Sequence, residues 1–163
     1  MKKCCLCLFL VLLLTGCGSV ETFETVNDVW DRPAMAPVGE LVLTLPESAA
    51  SQAVQSGDGG KLYFCDDYVL TVQTLDGGDM DQTTKTLCGY ESSALNILET
   101  SLGVNKRREW VWMSAGEGGD TIGRAAVIDD GHYHYCVTVM AGAQEAGELE
   151  AEWNALFSSL RLG

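Results

Sequence analysis

From Leu41 onward, apolar residues recur in two rhythms. Leu41, Leu43 and Leu45 alternate with Val42 and Thr44 ahead of Pro46, a two-residue period that predicts a strand. Gly57-Asp58-Gly59-Gly60 then turns the chain into Lys61–Asp66. The next run, Tyr68–Leu75, is rich in β-branched residues and stops at Asp76-Gly77-Gly78, so the two runs read as a hairpin. Between Gln82 and Thr100 the period lengthens. Leu87, Tyr90, Ala94, Ile97 and Leu98 fall at helical spacing, Thr83 or Thr84 can cap, and Gly103 lies just beyond, which predicts a helix whose well-defined part begins near Gly89. Alternation returns in Lys106–Ala115, Thr121–Asp129 and His132–Ala141, joined by Gly116–Asp120 and Asp130-Gly131, the pattern of a three-stranded meander. Ala146, Leu149, Trp153, Leu156 and Leu160 close the chain as an amphipathic helix running into Ser158–Leu162.

The first residues carry an address. Lys2 and Lys3 precede the apolar run Cys4–Leu14, which has the flank and length of a signal-peptide core and is short for a bilayer span. Leu14-Thr15-Gly16-Cys17 resembles the lipobox of bacterial lipoproteins. That resemblance implies cleavage before Cys17, a covalent diacylglycerol on its sulfur, and a body tethered to the outer, extracytoplasmic face of the bacterial cell membrane. A plain secretory signal cut near Gly16 or Gly18 is the alternative. Residues 18–37, acidic, Thr-rich and closed by Pro33 and Pro37, read as a tether of about 20 residues that reaches roughly 70 Å when extended. Phe23, Val26 and Trp30 stand at helical spacing within it, to dock on the parent domain or to meet a partner. The expected organisation is therefore a signal peptide over 1–16, a lipidated Cys and tether over 17–37, and one domain over 38–163.

Charge removes whole classes of partner. The 163 residues hold 10 Lys+Arg against 23 Asp+Glu, a formal charge of -13, which disfavours nucleic acid and adsorption to anionic lipid through a basic patch. Composition is that of a globular domain rather than a disordered chain, collagen or coiled coil. Once the signal leaves and Cys17 takes lipid, Cys65, Cys88 and Cys136 remain. Outside the cytoplasm two of these can oxidise. The pairing expected here is Cys65 with Cys88, if a strand and the following helix pack together; three buried thiols is the alternative.

Strands, a helix, a meander and a final helix give an α+β class, an antiparallel sheet with helices covering it. This pattern resembles the Mog1/PsbP-like fold found in small extracytoplasmic bacterial lipoproteins. The residues that carry the resemblance are Leu87-Cys88-Gly89-Tyr90, Arg124–Gly131 with Tyr133 and Tyr135, and Trp153–Leu162; it covers residues 38–163. It implies a sandwich and a non-enzymatic binding or assembly role, with no catalytic motif to carry over.

Chemistry-bearing patterns are few. Neither a Gly-x-Ser-x-Gly elbow, a His-Glu-x-x-His helix, a Walker loop nor a dinucleotide fingerprint occurs. On His132–Cys136, alternation puts His132, His134 and Cys136 on one strand face, a donor set suited to zinc or copper with a further ligand from elsewhere; a polar, solvated face beside a turn is the competing reading. Asp66-Asp67, Asp76/Asp79/Asp81 and Asp129-Asp130 are acidic clusters that resemble solvated turns more than the EF-hand pattern. Trp110, Trp112 and Arg108 share a strand face that either fills the core or forms a binding surface. Lys106-Arg107-Arg108 is the basic cluster of the mature chain. Together these point to a non-catalytic binding or accessory lipoprotein whose partner is an envelope protein or wall component. The alternative is a transition-metal-binding lipoprotein using His132, His134 and Cys136. No cofactor beyond the lipid on Cys17 is expected.

Overall fold

Segments of period two become strands, and every pairing between them is antiparallel. The computed structural model describes residues 38–50, 53–55 and 60–163; Cys17 with the signal segment, the Phe23–Trp30 stripe and Gly57–Gly59 lie outside the described residues. The elements run β1 (Leu41–Val42), α1 (Glu47–Ala50), β2 (Ala53–Gln55), β3 (Lys61–Phe64), β4 (Tyr68–Asp76), α2 (Met80–Cys88), β5 (Leu98–Leu102), β6 (Asn105–Ser114), β7 (Thr121–Asp129), β8 (Tyr133–Gly142), α3 (Ala146–Ser158) and β9 (Arg161–Leu162). Seven strands form one sheet in the order β2-β3-β4-β8-β7-β6-β5, while β1 and β9 pair with each other. This is an α+β fold, and the predicted meander is its centre.

The two faces of the sheet are each buried by a helix. Leu70, Ala126, Ile128, Tyr135, Val137 and Val139 meet Leu149, Trp153, Leu156 and Phe157 of α3. Trp110, Trp112, Ala125, Val127 and Cys136 on the other face meet Leu75, Met80, Leu87, Leu95 and Ile97. Burying one such side chain contributes about 1.5–3 kcal/mol, so the two layers of contacts dominate the stability. Trp112 settles closely on β7 because Gly123 lies beneath it: a Cβ there would overlap the indole ring. Charged groups lock the end of α3. Arg107 Nη2 donates to the Phe157 carbonyl at 2.7 Å and pairs with Glu109 at 2.6 Å, Glu109 reaches Arg124 at 3.0 Å, and Arg124 lies 4.4 Å from the Phe157 ring centroid.

The predicted helix over Gln82–Thr100 is corrected. Asp79 caps α2, its side chain accepting from the Asp81 N–H at 2.9 Å, and Gly89 ends it with φ 81°, its N–H donating to the Lys85 carbonyl at 2.8 Å. The chain beyond makes a 3-10 turn at Ser92–Ala94 and then β5. Leu87 and Ile97 mimic a helical stripe because both reach the same cluster from different elements. Leu41–Leu45 shortens to a two-residue strand that pairs with β9, so the end of the last predicted helix is in fact extended.

Candidate functional site

The basic strand end lies beside the start of α2. Arg108, on β6, donates to Asp81 Oδ1 and to Glu99 Oε1, both at 2.7 Å. The Asp81 carboxyl is lowered by its hydrogen bond to Arg108 first and by Ser92 second. Burial works against the Arg108 charge, but Asp81 and Glu99 outweigh it and the guanidinium is held more firmly protonated. Gly78, Met80, Glu99, Lys106, Arg108 and Asp129 line a cleft of 270 Å³ here. Arg107 also lines it, and the Arg108 guanidinium is already engaged through Nε and Nη1 by two carboxylates.

His134 closes the floor between α2 and the sheet. Its Nδ1 lies 2.7 Å from Thr83 Oγ1, and its Nε2 lies 3.9 Å from Asp129 Oδ1, outside hydrogen-bond reach. With the ring proton on Nε2, the Thr83 hydroxyl donates to Nδ1. His134 is 1% exposed and Thr83 8%, so no substrate atom approaches this hydroxyl–imidazole pair. The expected polar, solvated face is therefore corrected: at His134 and Cys136, β8 is covered on both sides because α2 lies across it. Cys136 is fully buried, and burial alone pushes its thiol up to about 12. His132 sits outside the strand in the exposed turn. The three donors of the metal hypothesis do not converge, and among the described residues no group of three His, Cys, Asp or Glu could hold a metal ion. Sequence spacing does not disclose the partnership of Thr83 with His134, because the apolar stripe points to a helix defined from Gly89 whereas α2 begins at Met80.

The Trp pair is core. Trp110 and Trp112 are 2% and 5% exposed under α2, which rules out the binding surface suggested for Trp110, Trp112 and Arg108. The Cys65–Cys88 bridge is also absent; Cys65, Cys88 and Cys136 are free thiols. The reason is topological: Cys65 packs with the α3 side of the sheet and Cys88 with the α2 side. Burial raises the Cys65 thiol, against hydrogen bonds with Tyr68 and Ser48 that lower it, and Tyr68 itself donates to Glu152 at 2.7 Å. The acidic clusters disperse into structural tasks. Asp79 caps α2, Asp81 binds Arg108, and Asp130 Oδ1 accepts the His132 and Tyr133 N–H groups.

What stands open is apolar sheet. Val54, Phe64 and Met140 are all exposed; Phe64 is opposite Val69, Val69 opposite Met140, and Val54 opposite Leu62, so these side chains share one face across β2, β3, β4 and β8. A hollow of 420 Å³ at its end is lined by Phe64, Val69 and Met140 together with Asp66 and Asp67. No sequence pattern announced this patch, since the strands alternate in the same way whether or not a helix covers them.

No helix among the described residues is long and apolar enough to cross a membrane. Neither a protein-family model nor a curated protein matches the sequence. Solved structures do share the fold. A protein of Bacteroides thetaiotaomicron is similar with a TM-score of 0.51 and 13% identity over 76% of this chain, which spans 45% of that protein's length. LpqN, involved in cell envelope biogenesis of Mycobacterium tuberculosis, is similar with a TM-score of 0.50 and 14% identity, over 79% of this chain and 87% of its own. At these identities the likeness is one of fold: the chain is similar in architecture to a mycobacterial protein involved in cell envelope biogenesis and to part of a Bacteroides protein.

Proposed function

We propose that this chain is the precursor of a lipoprotein anchored through Cys17 to the outer face of a bacterial cell membrane, with a Mog1/PsbP-like domain that binds an envelope protein or wall component and catalyses nothing itself. The observation that carries the reading is the row of exposed Phe64 and Met140 flanking half-buried Val69, with exposed Val54 and half-buried Leu62 beside it, a contiguous apolar face on a strongly acidic molecule. Buried aromatic and thiol side chains supply the core instead. The lipobox-like Leu14-Thr15-Gly16-Cys17 supports the anchor, and the likeness in fold to LpqN supports an envelope setting. A catalytic role has no foothold in the Thr83–His134 contact, which is sealed from solvent.

Two measurements in intact bacteria test this. Cys17→Ala should move the protein out of the membrane fraction; continued detergent-dependent fractionation would sink the lipid anchor. A photo-crosslinking residue at position 64 should join the protein to one defined envelope component, whereas the same residue at exposed Glu148 on α3 should not. Equal labelling from both positions, or none from 64, would remove the binding role.

A further inference from the structure

β5 ends the sheet, and among the described residues no strand pairs with its outer edge. Which backbone groups face outward follows from its turn into β6. Gly103 has φ 66° and Val104 does not have a positive φ, the pattern of a two-residue hairpin turn with glycine first, so Leu102 and Asn105 are the hydrogen-bonded closing pair. Hydrogen-bonded and non-hydrogen-bonded pairs alternate in an antiparallel ladder. Leu98, Thr100 and Leu102 therefore spend their backbone groups on β6, while Glu99 and Ser101 direct theirs away from the sheet.

We propose that two copies of this chain associate by antiparallel pairing of β5 with β5 about a two-fold axis at Thr100. The edge reads Leu-Glu-Thr-Ser-Leu, which is self-complementary in that register. Leu98 meets Leu102 of the second copy, Thr100 meets Thr100, and Glu99 meets Ser101. The outward groups of Glu99 and Ser101 become the hydrogen-bonded pairs, and Thr100 with its counterpart becomes a close non-hydrogen-bonded pair. Leu98, 60% exposed in the single chain, gains an apolar neighbour.

Charge fits the same register. Glu99 is already bound to Arg108 at 2.7 Å, so it enters the interface neutralised. Lys106 is exposed and sits opposite Ser101 on β6. Among the described residues no ion pair engages Lys106, and the second copy's Glu99, seated across Ser101, comes within reach of its long side chain. Edges are ordinarily guarded by proline, bulges or charged side chains; Leu98–Leu102 carries no proline, and its one charge, Glu99, is already paired with Arg108. The net charge of -13 on each copy opposes association, which makes the dimer weak and favoured by moderate salt.

Disulfide trapping in the full chain, purified in detergent, tests the two-fold. Under mild oxidation Thr100→Cys should give a covalent dimer well above the background of the parent chain and of Glu148→Cys. Ser101→Glu places like charges opposite one another twice per dimer without touching the β5–β6 hydrogen bonds. It should reduce trapping at position 100, and the association constant from sedimentation equilibrium, by about tenfold. The thermal melt of Ser101→Glu should match the parent, which separates loss of the dimer from loss of the fold. Absence of trapping at position 100, trapping equal to that at 148, or a dimer indifferent to Ser101→Glu would overturn the proposal. So would a dimer abolished by Phe64→Glu, since that would place the interface on the open face.

Discussion

At the scale of single residues, Asp130 and Tyr135 hold the start of the domain. The Tyr135 hydroxyl donates to Asp130 Oδ2 and accepts the Gly39 N–H, both at 2.8 Å, from a ring with no exposed surface. Burial raises the Asp130 carboxyl, but the Tyr133 and His132 N–H groups and the Tyr135 hydroxyl together lower it below its ordinary value. Because the folded value is the lower one, the stabilisation is complete above the unfolded pKa of about 3.9 and is lost as pH falls through the folded value. Denaturant melts should thus show Asp130→Asn destabilised at pH 7, with the gap to the parent closing as pH drops below about 4; a gap that is constant with pH would assign the effect to geometry alone. Tyr135→Phe removes a buried donor and leaves the Gly39 N–H unpaired, an expected loss of about 1–3 kcal/mol at neutral pH in the same melts. The thiols behave as their surroundings dictate. Cys136 and Cys65 should resist a thiol reagent at pH 8 in the native state while half-buried Cys88 reacts, and all three should react in denaturant. In a chain without residues 1–17, a thiol count below three at full denaturation would mean that a bridge had formed after all.

At the scale of elements, the cross-strand seat of Trp112 on Gly123 leaves no room for a Cβ: one built at 123 would overlap the indole. Any Cβ at 123 must displace the indole or the strand, and overpacking of this kind costs about 1–3 kcal/mol. Trp112→Phe takes away the outer ring atoms that the new methyl would strike. Gly123→Ala combined with Trp112→Phe should therefore destabilise by less than the two single changes add up to, as read in a double-mutant cycle; simple additivity would show that the two sites are uncoupled. The same packing explains what the sequence disclosed and what it hid. The meander of β6, β7 and β8 was legible because alternation, turn glycines and strand length all agree there. The α2 helix and β5 were not, because Leu87, Tyr90, Ala94 and Ile97 imitate a helical stripe across the Gly89 cap, and a cap is a local conformation that spacing does not register. The His132, His134 and Cys136 pattern failed for a related reason. Alternation fixes which side chains share a face, but whether that face meets water, metal or a helix depends on α2, whose Thr83 lies 51 positions from His134 in the chain.

At the scale of the whole molecule, two helices divide unequal work over a seven-stranded sheet. α3 supplies Leu149, Trp153, Leu156 and Phe157 to one face, whereas α2 covers the other only where Trp110, Trp112, Val127 and Cys136 lie. The remaining part of that face, across β2, β3, β4 and the end of β8, leaves Val54, Phe64 and Met140 partly in solvent, with exposures of 45%, 46% and 41%. Threonine keeps the β-branched preference of a strand while removing most of the apolar area. Phe64→Thr combined with Met140→Thr should accordingly shift the melt by about 1–2 kcal/mol for two partly buried side chains, against the roughly 3–5 kcal/mol lost when a single buried ring such as Trp110 is cut to Ala. The same double variant should bind less of a hydrophobic dye and yield no product from a photo-crosslinking residue placed at Val69 in cells. A loss of several kcal/mol would instead make the patch part of the core. Retained crosslinking would mean that the binding face lies elsewhere on the sheet.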